Sequence, residues 1–186
     1  MTLLRVAPLA LLFAAPAAAA PPTWTVDSGR STLGFSGTQT GTAFTGRFTR
    51  YKATIAFDPA HPETARIAVV IDLASASTGD TQRDSALPGS DWFDVAHAPQ
   101  ARFTSTAVRR AGANSYIATG ALTIRGVTRP VALPFTLQVA GVQAHAKGHL
   151  QLIRTAFGVG QGEWASGQWV ALEVRVDIDI VARRAG

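Results

Sequence analysis

Hydrophobic and polar residues alternate along most of the chain with a period of two, as in strands with one buried and one solvated face. The C-terminal segment 170–180 is the clearest case, because every second residue is Val, Leu or Ile and most residues between them are charged. The same alternation marks 67–73, 116–124, 131–139 and 142–152. Shorter extended segments are predicted at 23–27, 33–36 and 101–108. The pattern therefore predicts an all-β chain.

Within residues 42–57 the alternation changes phase. Apolar positions are even-numbered at Phe44 and Phe48 but odd-numbered from Tyr51 onwards. A strand that changes phase needs a bulge or a sharp bend, which we predict near Thr49-Arg50. Turn-forming residues then separate the strands at 58–62, at 111–114, at Gly126 with Pro130, and at Gly141.

A single helix is predicted, over residues 80–87. Thr78 or Asp80 can cap its first turn, and Pro88-Gly89 ends it after about two turns.

Small residues occupy several positions on the predicted inward faces of the strands. They are Gly46, Ala53, Ala118, Gly120, Ala144, Ala146 and Gly148. In a closed barrel of about eight strands, small inward side chains leave volume for an apolar ligand. A sandwich whose Phe and Trp side chains fill the same space is the alternative that the pattern leaves open.

The first twenty residues are predicted to be a secretory signal peptide. Arg5 supplies a positive charge, residues 6–16 are an apolar run, and 18–20 provide the small residues of a cleavage site near Ala20. We therefore expect a periplasmic mature protein with one domain over residues 23–183. The sequence has no Cys, which excludes disulfides and thiolate metal sites and suits a bacterial envelope compartment.

The chain carries 17 Lys and Arg against 12 Asp and Glu, a formal net charge of +5. The basic residues are scattered singly or in pairs, Arg109-Arg110 and Arg183-Arg184, without an RNA-recognition motif, so no nucleic-acid partner is expected. The positive charge could favour an anionic membrane surface, although a solvated face with a small excess of Arg is the plainer interpretation.

No motif for catalysis or metal binding stands out. No Ser lies in a G-x-S-x-G context, and His145 and His149 belong to the polar face of a strand, where they are expected to face water. Asp177 and Asp179 share a face, but they are also ordinary polar members of an alternating strand. We therefore expect no catalytic residue, no metal and no cofactor beyond a non-covalent ligand.

Three charged residues are predicted near a cluster of aromatic side chains around Trp92. They are Arg83 and Asp84 on the helix and Arg154 at a strand end. Partly desolvated charges need partners, so we predict a structural ion pair that pins the helix segment to the rim of the barrel.

An ordered series of motifs resembles the YceI-like family of periplasmic, polyisoprenoid-binding proteins, and the resemblance covers residues 23–183. The motifs are WTVD at 24–27, FTGRF at 44–48, IAFDP at 55–59, WFDV at 92–95, GALTIRGVT at 120–128, and Arg154 with Phe157-Gly158.

The resemblance implies a single extended antiparallel lipocalin-like β-barrel with one short helix segment near its mouth. Its interior would hold a long isoprenoid lipid, such as a quinone tail or a polyprenyl chain, and the protein would act as a periplasmic carrier without catalysis. The residues expected to line the barrel or its mouth are Phe35, Phe44, Phe48, Ala53, Leu87, Trp92, Phe93, Phe103, Ala118, Phe135, Ala146 and Phe157.

Two alternatives stay open at this point. One is an enzyme on the same barrel that acts on a lipid or quinone through Arg154, Asp84 or a Tyr, and the other is a solid-core β-sandwich interaction module. The chain also resembles the branch found near membrane b-type cytochromes, which makes such a cytochrome, or the inner-membrane surface, a candidate partner. A homodimer is a further candidate.

Overall fold

The computed structural model describes residues 20–186, so that the predicted signal peptide lies, apart from Ala20, outside the described residues. Within residues 20–186, eleven antiparallel strands form one sheet. They are β1 Thr23–Val26, β2 Thr32–Gln39, β3 Thr42–Phe48, β4 Tyr51–Ala56, β5 Arg66–Asp72, β6 Ala76–Ser77, β7 Gln100–Arg110, β8 Ser115–Ile124, β9 Val127–Ala140, β10 Gln143–Ile153 and β11 Glu173–Arg184. The helix α1 spans Thr81–Ala86.

The sheet closes on itself as a barrel. Neighbouring strands follow the order β1, β4, β5, β7, β8, β9, β10 and β11, and β11 pairs back with β1. β1 and β2 pair with successive parts of β11 and together fill one strand position of the barrel. β4 and β3 together fill the next position, because β4 pairs with β1 and β3 pairs with β2. The short β6 pairs with the end of β3. The result is a closed eight-stranded antiparallel barrel with one short helix, which confirms the predicted fold class and replaces the sandwich alternative.

The predicted break at Thr49-Arg50 is confirmed, because these two residues separate β3 from β4. The buried Ser75 occupies the break: its carbonyl accepts from the amide of Thr49 (3.1 Å), and its hydroxyl accepts from the amide of Arg50 (3.0 Å). The break lets one stretch of chain turn its apolar side chains inward along both halves of the barrel.

The predicted helix is also confirmed. Asp80 caps it, since its carboxylate accepts a hydrogen bond from the amide of Arg83 (2.9 Å). Leu87 follows the last helical residue and is buried. The helix therefore places an apolar side chain against the end of the barrel.

The prediction that Pro130 belongs to a turn is wrong. The turn consists of Arg125 and Gly126, and β9 already runs through Pro130 and Pro134. Proline has no N–H to give to a neighbouring strand, and β9 pairs with β10 only from Phe135 onwards. Between these two strands the backbone ladder is therefore confined to the half of the barrel that is remote from α1.

Candidate ligand-binding cavity

Two apolar chambers lie inside the barrel, one behind the other. The lower chamber, at the end opposite α1, has a volume of about 140 Å³. Its wall includes the inward alanines Ala53, Ala118, Ala144 and Ala146. At its far end Trp24 donates from Nε1 to the carbonyl of Phe57 (2.9 Å), a buried hydrogen bond that fixes the indole there. Small side chains along the wall thus leave the lower chamber open.

The upper chamber lies below α1 and has a volume of about 190 Å³. The barrel strands supply its sides, and two connections supply a roof: residues 87–98 after α1, and residues 154–172 between β10 and β11. The carbonyl of Asp91 accepts from the amides of Gly160 (2.8 Å) and Gln161 (2.7 Å), which joins the two roof segments.

The chambers meet at a waist whose residues belong to both walls. The shared residues are Leu33, Val69, Phe103, Leu133 and Ile178. All five are apolar, so a hydrocarbon chain that passes from one chamber to the other meets no polar group at the waist.

Every residue predicted to line the barrel lies on one of these walls. Ala53, Ala118, Phe135 and Ala146 line the lower chamber, and Phe103 lies at the waist. The other seven line the upper chamber: Phe35, Phe44, Phe48, Leu87, Trp92, Phe93 and Phe157. Their contact with a ligand remains a prediction.

The inward glycines do not add to the open volume as expected from the sequence. A Cβ at Gly46 would collide with the ring of Phe35, and one at Gly120 or Gly148 would collide with Phe103 or Phe135. Gly46 and Gly120 therefore receive an aromatic ring of a neighbouring strand, whereas Gly148 lies against the Pro134 carbonyl and the Cα and Cβ of Phe135. The space beside each of these glycines is thus already occupied by a neighbouring strand.

Arg154 is a buried cation without a carboxylate partner in the described part of the chain. Its side chain is held by carbonyl groups of the roof segment: Nε donates to Ala171 (3.0 Å), Nη1 to Val159 (2.9 Å) and Gly160 (3.5 Å), and Nη2 to Trp164 (2.5 Å) and Val170 (2.7 Å). Burial lowers the pKa of Arg154 below its usual range. All five N–H groups are therefore committed to shaping the roof.

The close fit between Arg154 and the roof depends on Gly160. This residue has φ +83°, and a Cβ there would overlap the guanidinium of Arg154. The guanidinium also lies over the ring of Trp92, with 5.3 Å between Cζ and the ring centroid. The contact joins the 87–98 segment to the 154–172 segment.

The predicted ion pair among Arg83, Asp84 and Arg154 is wrong. Arg83 Nη2 lies 3.7 Å from Oδ2 of Asp80. Its Nη1 donates to Oε1 of Gln39 (2.5 Å), and its guanidinium lies over the ring of Phe44. It therefore does pin the helix to β2 and β3, but through an amide and an aromatic ring.

Asp84 holds the segment that precedes the helix. Its carboxylate accepts from the hydroxyl of Ser77 (3.0 Å) and from the amide and hydroxyl of Thr78 (both 2.7 Å). These bonds, the Thr78 hydroxyl first, lower the pKa of Asp84 below its usual value of 3.8. Asp84 and Arg154 thus act at separate places.

One polar side chain of the lower chamber was not singled out from the sequence. The ring of Tyr51 lines the wall, and its buried hydroxyl has no hydrogen-bond partner among residues 20–186. Burial raises the pKa of Tyr51, and the Ser31 hydroxyl nearby offsets part of the rise. Its place as the first residue after the phase change was the available sequence clue.

The polar face of β10 carries no metal cluster. His145 contacts Asp179 on β11, with 2.5 Å between Nε2 and Oδ1, and Lys147 lies 3.0 Å from the other oxygen. The hydrogen bond with His145 is the main cause that lowers the pKa of Asp179, and Lys147 lowers it further. Residues 20–186 contain no group of three His, Asp or Glu side chains placed to hold a metal ion.

The model of the YceI-like domain matches residues 24–182, which is nearly all of the barrel. The chain belongs to the YceI-like family. A UPF0312 protein of Pseudomonas putida is 31% identical over 138 residues, which are 71% of this chain and 71% of that protein. A UPF0312 protein of Pseudomonas fluorescens is 38% identical over 96 residues, which are 52% of this chain and 50% of the relative. The chain thus matches about half the length of some of its YceI-like relatives.

Solved structures show the same YceI-like barrel. BcnA of Burkholderia cenocepacia superposes with a TM-score of 0.82 at 36% identity, over 84% of this chain and 99% of that one. A polyisoprenoid binding domain from Saccharophagus degradans superposes with a TM-score of 0.68 over 87% of this chain and 98% of that one, and its 16% identity makes it a likeness of fold. Among residues 20–186 no helix is long and apolar enough to span a membrane.

Proposed function

We propose that this YceI-like barrel is a periplasmic carrier that encloses the tail of a long isoprenoid lipid, such as a quinone or a polyprenyl lipid. The observation that carries the proposal is the continuous apolar wall from Trp24 at the bottom of the lower chamber, past the waist, to the aromatic residues below the roof. The polyisoprenoid binding domain of Saccharophagus degradans, which has the same fold, supports this use of the barrel.

The arrangement of the two chambers in series favours an extended chain over a compact molecule. An apolar cavity of about 150 Å³ stays dry and holds a molecule the size of benzene. Each chamber alone therefore suits about one isoprene unit, and only an extended chain that crosses the waist uses both. Burying such a chain gains about 0.8 kcal/mol for each methylene group.

The geometry of Arg154 and Asp84 gives little support to an enzyme that acts through these two residues. Arg154 uses its N–H groups on carbonyl oxygens of the roof, and the Asp84 carboxylate accepts from Ser77 and Thr78. Neither group is free to take or give a proton to a molecule in the chambers. A membrane b-type cytochrome as partner, and a homodimer, remain predictions.

Native mass spectrometry of the protein isolated from the periplasm tests the proposal. We expect an adduct whose mass, after organic extraction, belongs to a prenyl lipid. The delipidated protein should then take up a long-chain prenyl quinone. Protein that carries no lipid and takes up none would contradict the proposal.

A plug of the lower chamber gives the matched control. Ala146→Phe places a ring in the lower chamber and should abolish uptake of the long-chain quinone, whereas Ala132→Phe on the exposed outer face of β9 should not. If protein side chains fill the lower chamber in solution, Ala146→Phe overpacks a solid core instead. It would then cost about 1–3 kcal/mol of stability and leave quinone uptake unchanged, which would contradict binding in this chamber.

A further inference from the structure

The tip of the β9–β10 hairpin exposes two large apolar side chains. Val139 is 43% exposed and Val142 is 52% exposed. The turn itself consists of Gly141 and Val142, with Gly141 at φ +59° in the first central position. Such turns favour Gly, Asn, Asp or Ser. Turn formation therefore gives no reason for a β-branched apolar residue at 142.

Two arginine pairs that are far apart in the sequence come to the same end of the barrel. Arg109 and Arg110 end β7, while Arg183 and Arg184 end β11. Arg183 lies opposite Gln143 in the β10–β11 ladder, and the amide of Arg184 donates to the carbonyl of Val142 (2.8 Å). All four are exposed, and none forms a salt bridge within the described residues.

The opposite end of the barrel has a different character. Ile153 and Trp169 are exposed there, but on separate segments. Asp80, Asp91, Asp94 and Glu163 lie at that end, where Arg83 and Arg125 offset part of their charge by lying within 4 Å of Asp80 and Asp94. At the hairpin end the acidic residues are Asp58 and Glu63, both on the segment between β4 and β5. The apolar tip therefore coincides with the basic end of the molecule.

We propose that the β9–β10 end docks on an anionic membrane surface. Val139 and Val142 would enter the interface between headgroups and acyl chains, while Arg183, Arg184 and Arg109 lie at the phosphate level. The tip is a two-residue hairpin turn, which can enter a soft bilayer surface without a complementary pocket and therefore favours a bilayer over an acidic protein. The proposal does not depend on what the chambers contain.

Cosedimentation of the folded barrel with vesicles tests it. We expect the protein to bind a one-to-one mixture of phosphatidylglycerol and phosphatidylcholine, to bind pure phosphatidylcholine far more weakly, and to be released by high salt. Arg183→Gln with Arg184→Gln should weaken binding about 25-fold, at about fivefold for each basic residue. Val139→Ser with Val142→Ser should weaken it about tenfold and leave the remainder salt-sensitive.

The matched control removes the same charge elsewhere. Arg30→Gln with Arg47→Gln changes two exposed arginines that lie away from the hairpin tip and should leave vesicle binding nearly unchanged. If this control variant lost as much vesicle binding as Arg183→Gln with Arg184→Gln, the effect would be one of net charge alone, and the proposal would be overturned. Absence of binding to anionic vesicles would also overturn it and point to an acidic protein as the partner of this surface. The Ala146→Phe variant should still bind vesicles, which separates this proposal from the lipid-carrier function.

Discussion

The ring of Phe35 lies directly against the backbone of Gly46, its cross-strand partner on β3, and leaves no room for a side chain at residue 46. The ring is tilted against Phe48, with 5.1 Å between centroids, and so lies along the wall of the upper chamber. The size of that chamber therefore depends on a residue that has no side chain.

Replacing Gly46 with Ala should push the Phe35 ring into the upper chamber. We expect a loss of about 1–3 kcal/mol of stability from overpacking, together with weaker uptake of a long prenyl chain. Urea denaturation and a quinone-binding titration measure the two effects. Gly46→Ala combined with Phe35→Leu should restore uptake, and Gly29→Ala, where a Cβ makes only an ordinary contact, should change neither.

Replacing Arg154 with Ala should destabilise the roof. The side chain is 4% exposed, and its loss leaves several buried carbonyl groups without donors. We expect a loss of at least about 3 kcal/mol, measured by urea denaturation. Arg154→Lys keeps the charge but has fewer donors, so its stability should lie between those of the wild type and Arg154→Ala. As a control, Arg30→Ala on the surface should cost less than about 0.5 kcal/mol of stability. An unchanged unfolding midpoint for Arg154→Ala would contradict this role.

The waist should separate ligands by length. Val69→Phe narrows the passage between the chambers, so we expect affinity for a long prenyl quinone to fall about tenfold. A quinone with a single isoprene unit fits one chamber and should bind as before. Val70→Phe, on the opposite face of the same strand, serves as control. Equal losses for short and long ligands would show that the chambers do not act in series.

The segment before α1 should loosen in acid. Because the folded-state pKa of Asp84 lies below its usual value of 3.8, the carboxylate contributes fully above that pH and loses its contribution as the pH falls through the folded-state pKa. The difference in unfolding free energy between the wild type and Asp84→Asn should therefore narrow below pH 3.8. Amide hydrogen exchange over residues 78–87 should rise in the same range. Thr78→Val, which removes the main cause of the shift, should weaken this pH dependence.

Much of the barrel wall could be predicted because inward and outward positions alternate in the sequence itself. The inward residues Ala118, Phe135 and Ala146 follow from that alternation, and the bend at Thr49-Arg50 follows from its change of phase. The cap at Asp80 is likewise a local property of the chain.

The features that the sequence did not reveal depend on contacts between distant segments. The five carbonyl partners of Arg154 lie in the connection between β10 and β11, whose sequence shows no alternation. The sequence therefore did not show that these carbonyls surround the guanidinium, and an ion pair with a carboxylate was predicted instead. Gly46 and Gly148 were predicted to leave space because nothing in the pattern shows that Phe35 and Phe135 lie against them. The proline at 130 suggested a turn, whereas β9 tolerates it where no ladder to β10 forms.

The pairing of β1 with β11 has a consequence for how the protein is made. The first and last strands of the barrel are joined, with Trp24 opposite Arg184, and β11 also pairs with β2 and β10. Closure thus waits for the last strand to be synthesised, and contacts so distant in sequence form slowly. Until then β2 and β10 each offer an unpaired edge to other chains. The nascent polypeptide is therefore accessible to chaperones until its last strand has been synthesised.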